Sequence, residues 1–339
     1  MKKLIIAIFA ILLSSSFLFA DEVTKVGTTA LGFLSIDVGS RAVGMGGAYV
    51  SITNDATAMF WNPAGIARSD MMEAVFHHSN WIADINFNYV AAIIPVAGLG
   101  NFGINATALT MDDMERTTIA NPEGTGEMFS AGSYAFGLAY ARSLTDRFGI
   151  GFNVKYVNES IYNSSASGVA FDVGTMFTTQ FNGLKIGMSI TNYGPKVKMS
   201  GRDMLTQVDI DPNKSGNNEN TNAYLVNDAF DLPLMFRVGV SMDMLKGAGN
   251  SNLILSVDAL HPNDDVESVN VGAEYVFNDL LSLRGGYASL LAEDTETGLS
   301  FGAGLHQQMM GRVELMLDYA YRDFGLLENV QMFTLGLKF

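Results

Sequence analysis

Residues 313–322, VELMLDYAYR, set Val313, Leu315, Leu317, Tyr319 and Tyr321 against Glu314, Met316, Asp318, Ala320 and Arg322. Only a strand separates those two sets, because strand side chains alternate faces with a period of two. One face is apolar and aromatic, and the other carries charge. The last segment repeats the pattern, with Phe333, Leu335, Leu337 and Phe339 opposite Met332, Thr334, Gly336 and Lys338. So do Ile150, Phe152, Val154 and Tyr156 against Gly151, Asn153 and Lys155, and Leu184, Ile186, Met188 and Ile190 against Lys185, Gly187 and Ser189. Leu234, Phe236, Val238 and Val240 stand in the same way against Arg237, Gly239 and Ser241.

Working outward, fourteen such segments are read: 73–81, 84–95, 100–110, 128–142, 147–159, 167–179, 183–192, 232–244, 251–260, 267–277, 280–290, 297–307, 311–322 and 329–339. A soluble sandwich alternates too, but its strands average about five or six residues, whereas a tilted strand needs about ten to cross a bilayer. Aromatic residues flank the segments (Trp81, Tyr89, Tyr140, Tyr156, Tyr275, Phe277, Tyr287, Tyr319, Tyr321), as interfacial girdles require. Short turns at 96–100, 144–147, 181–183, 246–250, 278–279 and 308–310 alternate with mostly longer connections, of which 111–127 and 193–231 are the longest. The pattern predicts an all-β chain: a transmembrane antiparallel β-barrel of about 14 strands, with long loops outside the cell.

Composition agrees with a membrane barrel. Of 339 residues 48% are hydrophobic and only 16% charged, below the roughly 25% charged of ordinary soluble domains. The net charge of −15 disfavours nucleic acid, whose phosphates need a basic surface. Zero cysteines exclude disulfides, thiolate metal sites and thiol nucleophiles. At the N-terminus Lys2 and Lys3, the apolar run 4–13, three serines and Ala20 before Asp21-Glu22 read as a signal peptide cleaved after Ala20. The apolar run is short for an uncleaved anchor. The organisation expected is a signal peptide over 1–20, a hatch or plug segment over 21–72 and the barrel over 73–339, with outer-membrane lipid around it.

Residues 39–67, GSRAVGMGGAYVSITNDATAMFWNPAGIA, fit neither period and read as a compact irregular element. Gly44, Gly46 and Gly47 permit close backbone approach, and Asn62 can cap its own backbone beside Pro63. With Ser40-Arg41-Ala42, Gly44-Met45-Gly46-Gly47-Ala48, Asn54-Asp55-Ala56 and Trp61-Asn62-Pro63-Ala64-Gly65, this stretch resembles the N-terminal signature of the PorV/PorQ family. Those outer-membrane barrels are related in architecture to the FadL channels, with an Asn-Pro-Ala element and fourteen strands. The resemblance implies that the segment sits inside the barrel as a hatch. It implies a role in type IX protein secretion in the outer membrane of a Gram-negative-type bacterium, with secreted proteins or secretion components as partners. The alternative is FadL-like uptake of fatty acids or other small hydrophobic compounds.

Small residues on the inward face (Gly103, Gly137, Gly151, Gly174, Gly187, Gly239, Gly272, Gly286, Gly302, Gly304) leave room for such an insert. Inward charges at Lys155, Asp172, Arg237, Asp258, Glu274, Arg284, Glu314, Asp318 and Arg322 are expected to pair across strands, or to line a partly polar passage. Chemistry-bearing motifs are otherwise sparse. Gly44-Met45-Gly46-Gly47 lacks the third glycine and the βαβ frame of a dinucleotide site. His77 and His78 face opposite sides of one strand, with no orienting carboxylate to make a hydrolase with Ser79. A weak calcium candidate, Asp211, Asn213, Ser215 and Glu219, ends on Asn222 where a bidentate glutamate belongs. The expectation is no catalysis, no metal and no cofactor.

Overall fold

The computed structural model describes residues 25–216, 218, 220–245, 251–292, 295–309 and 313–339. The expected signal peptide, 1–20, and the turn at 246–250 lie outside the described residues. Fourteen strands form one closed antiparallel meander: β1 Glu73–Asn80, β2 Asn86–Val96, β3 Gly100–Thr110, β4 Ala131–Thr145, β5 Phe148–Ile161, β6 Ser164–Thr178 and β7 Lys185–Tyr193. They are followed by β8 Met235–Asp243, β9 Asn252–Pro262, β10 Ser268–Phe277, β11 Leu281–Leu290, β12 Leu299–Gln308, β13 Glu314–Asp323 and β14 Asn329–Lys338. Each strand pairs with its sequence neighbour, and β14 closes on β1 with Glu73 opposite Lys338 and Asn80 opposite Gln331. Closure leaves no sheet edge, the condition under which strands can cross lipid.

About ten residues at ~3.4 Å rise, tilted about 40°, span roughly 25 Å, the height of a barrel's apolar band. The outer face supplies that band. Phe102, Ile104, Phe136, Leu138, Val154, Phe171, Met188, Leu283, Phe301 and Phe333 all stand exposed on the isolated chain. An apolar surface of this extent is untenable in water and is the lipid-facing surface of a membrane protein. Among the described residues no helix is long and apolar enough to cross a membrane.

The turns follow their chemistry. Asn278 (φ 52) and Asp279 (φ 53) join β10 to β11 through two left-handed residues, the conformation of a tight hairpin turn that Asn and Asp tolerate. This turn belongs to the end of the barrel that also holds the connections after β2, β4 and β6. At the opposite end run the long loops 111–130 and 194–234, but also short connections at 81–85 and 162–163, so loop length alternates less regularly than expected. The segment read as 128–142 begins later, because Met128–Phe129 pairs with Met114–Glu115 in a hairpin inside the first long loop. Residues 82–84 form a 3-10 turn, which delays β2 to Asn86.

Two aromatic residues assigned to the girdles are not in them. Tyr89 faces inward, buried, with its hydroxyl donating to Ala56 O at 3.3 Å. It lies one step out of phase with the outward Val90, and a one-residue shift moves a side chain to the other face. Trp81 packs edge-on against Phe324, 5.2 Å between ring centroids, beneath the β13–β14 connection.

The core lies inside the barrel. Apolar residues of 31–66 pack on inward residues of the wall: Val38, Met59 and Ile66 against Phe87, Tyr89, Ala91 and Ile93. Leu31, Phe33 and Leu34 pack on the wall residues Ala135, Val157 and Ala170 and on Val197 and Leu232 of the loop 194–234.

Candidate functional site

The internal segment is held at its Trp-Asn-Pro-Ala element by a set of directed bonds. Asn62 Nδ2 donates to Val50 O (2.8 Å) and to Thr175 O of β6 (3.0 Å), while its Oδ1 accepts from Ala64 N (3.1 Å). That last bond caps the 3-10 turn Pro63–Arg68, where proline supplies a preset φ and needs no donor. Trp61 Nε1 donates to Val38 O (2.8 Å), and Ser189 Oγ on β7 donates to Trp61 O (2.8 Å). Both polar side chains of this turn, Trp61 and Asn62, therefore have named partners inside the barrel.

The wall meets the segment at glycines. A Cβ on Gly151 would lie 2.3 Å from the Pro63 carbonyl carbon, and one on Gly174 would lie 2.0 Å from Asn62 Oδ1. Gly46 (φ 66) and Gly286 approach backbone to backbone, each leaving no room for a Cβ on the other. Gly44 meets Gly302, while Gly65 packs within the segment on Thr53 and Ala58. Gly47 (φ 76) abuts Asn270 and Trp61.

Charge joins the segment to the wall at several places, three of which lie within residues 37–55. Arg41 Nε and Nη2 donate to the two carboxylate oxygens of Glu274 (2.8 and 2.7 Å), and Nη1 donates to Asn54 Oδ1 (2.6 Å). Glu274 also accepts from Arg284 Nε (2.7 Å), and Arg284 Nη1 donates to Asp318 Oδ1 (2.5 Å). Asp55 accepts from Tyr49 and Thr57 hydroxyls and lies 3.7 Å from Arg41 Nη1. Second, Arg322 Nη1 donates to Asp37 Oδ2 (2.5 Å). Third, Asp258 Oδ2 accepts from Val50 N (2.8 Å). Such bonds in a low-dielectric interior are strong when complete and costly when half-broken.

Other inward charges bind within the wall, or against aromatic rings. Lys155 Nζ lies 2.9 Å from Asp172 Oδ1, which also accepts from Asn192 N at a bulge of β7. Arg237 donates to Thr191 Oγ1 (3.2 Å) and stacks over Trp61, 5.1 Å from the ring centroid. Glu314 stands apart from this network and lines a cavity of about 430 Å³ near the short-turn end.

The remaining candidates lie apart from one another. His77 is buried with Nδ1 3.0 Å from Thr334 Oγ1, while His78 sits on the outer side against Asn88. The calcium candidate has its first carboxylate, Asp211, 3.3 Å from Lys214 Nζ, and Glu219 lies outside the described residues. No group of three or more His, Asp or Glu suited to a metal occurs among the described residues.

The reading from sequence left out Arg41, Asp37, Tyr49, Glu73 and Lys338, all of which bond within this interior. One signal was present: Arg41 and Asp55 are the two charges in 39–67, and they have opposite sign.

A family model described as type IX secretion system protein PorV matches residues 19–214, more than half of the chain. The chain belongs to the PorV family. It is therefore an outer-membrane barrel of a Gram-negative-type bacterium, associated with type IX secretion. Solved structures share the fold at low identity. The Ralstonia pickettii toluene transporter TbuX aligns with TM-score 0.54 at 12% identity, over 89% of this chain and 97% of that one. The Pseudomonas putida toluene transporter TodX gives 0.52 at 12%, over 89% and 97%. A Pseudomonas aeruginosa FadL homologue gives 0.51 at 13%, over 89% and 98%. No curated protein matches the sequence.

Proposed function

We propose that this PorV-family barrel is a docking protein of the secretion system, which engages exported proteins or secretion components through its long-loop end while its lumen stays closed. The carrying observation is the contrast between an interior filled around Trp61 and Met59 and an apolar loop surface. Trp61 is 1% exposed, and the space beside Phe33, Met59, Phe60 and Tyr89 amounts to about 10 Å³. Small-molecule sites run to about 300–1,000 Å³. An uptake channel for hydrocarbons would need an apolar chamber there. Loop 194–234 instead presents Ile210, Tyr224, Leu225 and Val226 to solvent, an apolar surface of the kind that protein partners cover.

In this reading residues 25–72 act as the hatch, anchored by Arg41, Asp37 and Asn62, and the long loops face the cell exterior. The barrel in this reading binds rather than catalyses, and His77, buried against Thr334, reaches no carboxylate among the described residues. The test is affinity capture of the protein from its native outer membrane, with mass spectrometry of bound proteins and extracted lipophilic compounds. Secreted proteins sharing one C-terminal domain, lost on Val226→Asp with Tyr224→Ser, are the expected result. A bound fatty acid or hydrocarbon with no protein partner would replace this reading with the uptake channel.

A further inference from the structure

At the short-turn end, β6, β7 and β8 set three inward polar residues in one row. Thr178 stands directly opposite Lys185 across β6 and β7, and Lys185 directly opposite Ser241 across β7 and β8. Residues so paired on one face have Cβ atoms about 4.5–5.5 Å apart. Arg68, the last residue of the turn Pro63–Arg68, reaches the row from the internal segment, where its Nη2 donates to Thr178 Oγ1 (2.8 Å). Two cations therefore meet at one strand pair. Neither has a carboxylate in ion-pair reach among the described residues, and the Lys185 ammonium makes no hydrogen bond there. The inward cations Lys155, Arg284, Arg322 and Lys338 each have a carboxylate oxygen 2.5 to 3.6 Å away. The charges that act on Lys185 are Arg68 and Arg41, opposed by Asp243 and Glu274. Glu274 is committed to Arg41 and Arg284, and Asp243 Oδ1 accepts from Leu245 N and Leu253 N (3.0 and 3.3 Å).

A second observation is independent of this charge balance. Ser241 is 3% exposed, and its Oγ has no hydrogen-bond partner. A buried hydroxyl without a partner is costly, so a spare donor is held beside an unpaired ammonium. Arg68 and Lys185 are both partly exposed, which opens the row to the short-turn end. No bond holds the Lys185 head, and its flexible four-carbon stem can turn aside from Ser241. We propose that Arg68, Lys185 and Ser241 form a binding site for a phosphate-type oxyanion entering from the short-turn side. Two uncompensated cations match a dianion. A planar guanidinium fork, a point-like ammonium and a hydroxyl, carried on three separate elements, suit a tetrahedral group with oxygens in several directions better than a flat carboxylate. The same chemistry is carried by free phosphate and by the phosphate ester of a small organic molecule.

The test uses the full-length mature protein in detergent at low ionic strength, titrated calorimetrically with inorganic phosphate, glycerol 3-phosphate and acetate. Saturable binding of a phosphate at least about tenfold tighter than acetate, a ratio worth about 1.4 kcal/mol, is expected. Lys185→Met should weaken it about fivefold or more, the scale of one charge-assisted hydrogen bond. Arg68→Gln should weaken it to a similar degree and Ser241→Ala by less, while Lys214→Met in the long loop should leave it unchanged. Heat-modifiable gel mobility verifies folding of each variant. Tighter binding of inorganic phosphate identifies the free ion, and tighter binding of glycerol 3-phosphate identifies an ester. Acetate binding as tight as phosphate, no saturable binding of either phosphate, or indifference to both Lys185→Met and Arg68→Gln overturns the proposal. None of these results depends on what docks at the long loops.

Discussion

Arg41 Nη2 lies 2.7 Å from Glu274 Oε2, tying the internal segment to a wall residue 233 positions later in the chain. Glu274 is buried and shared with Arg284, so the three form a cluster whose charge balance is upset when one member is lost. Arg41→Ala strips Glu274 of one of its two cations and leaves Asn54 Oδ1 without its donor. The expected loss is roughly 3–5 kcal/mol, the usual cost of breaking a buried pair. Arg41→Ala and Glu274→Gln combined in a double-mutant cycle, read by urea unfolding in lipid vesicles, should show strong coupling. Additive effects would mean that the pair anchors nothing.

A second prediction concerns backbone contact. Gly151 faces the Pro63 carbonyl with no space for a methyl group. Gly151→Val therefore either displaces the 63–68 turn or strains β5, at a cost above the ~1–3 kcal/mol of ordinary overpacking, because the opposing atoms are main chain. In the first case ion conductance through single barrels in planar bilayers should rise over wild type. Gly285→Val is the control, since a Cβ there meets nothing within 4 Å. Equal conductance and equal stability for both variants would refute a close-fitting interior.

Much of this architecture was legible along the chain, and the reason is geometric. A period of two survives in 147–159 or 329–339 because lipid demands apolar residues at every second position, so fourteen strands could be counted. Parity is harder to read where both faces are apolar. Phe87, Tyr89, Ala91 and Ile93 point inward onto the core while Val90 and Ile94 point to lipid, and nothing local distinguishes the two sets. Pairings such as Arg41 with Glu274, or Asp37 with Arg322, depend on barrel register and on the path of the inserted segment, which composition does not encode. Their trace was two lone opposite charges, Arg41 and Asp55, in an apolar run.

Topology can be checked directly because the chain has no cysteine. Gly216 and Asp146 both stand exposed, at opposite ends of the barrel. On intact cells Gly216→Cys should react with a membrane-impermeant maleimide and Asp146→Cys should react only after the outer membrane is opened. The reverse pattern would invert the barrel.

The loop hairpin at 114–129 carries a pH dependence of its own. The Tyr162 hydroxyl donates to Glu127, Arg116 Nη1 lies 2.7 Å from its other oxygen, and together they hold this carboxyl below its usual range. A depressed folded value means that the contribution is fully present above the unfolded value, about 4.3, and is lost as pH falls through the folded one. Amide hydrogen exchange in 114–129 should therefore accelerate below about pH 4 beyond the intrinsic trend. Glu127→Gln should abolish that extra acceleration, and its persistence in the variant would assign the effect elsewhere.

Two exposed apolar residues should respond differently to one substitution. Leu138, 69% exposed, sits midway along β4 between outward Phe136 and Tyr140, and Val226, 89% exposed, sits in the long loop. If the outer face of β4 meets lipid, Leu138→Arg places a charge near the bilayer midplane at a cost of about 2–4 kcal/mol. Val226→Arg places the same charge in water, where surface substitutions stay within about 0.5 kcal/mol. Urea unfolding of both variants in lipid vesicles separates the cases, because exposure is similar and only the surrounding medium differs. Equal stability would require that β4 is covered by protein rather than lipid, and Leu138 would then mark a partner interface on the barrel wall.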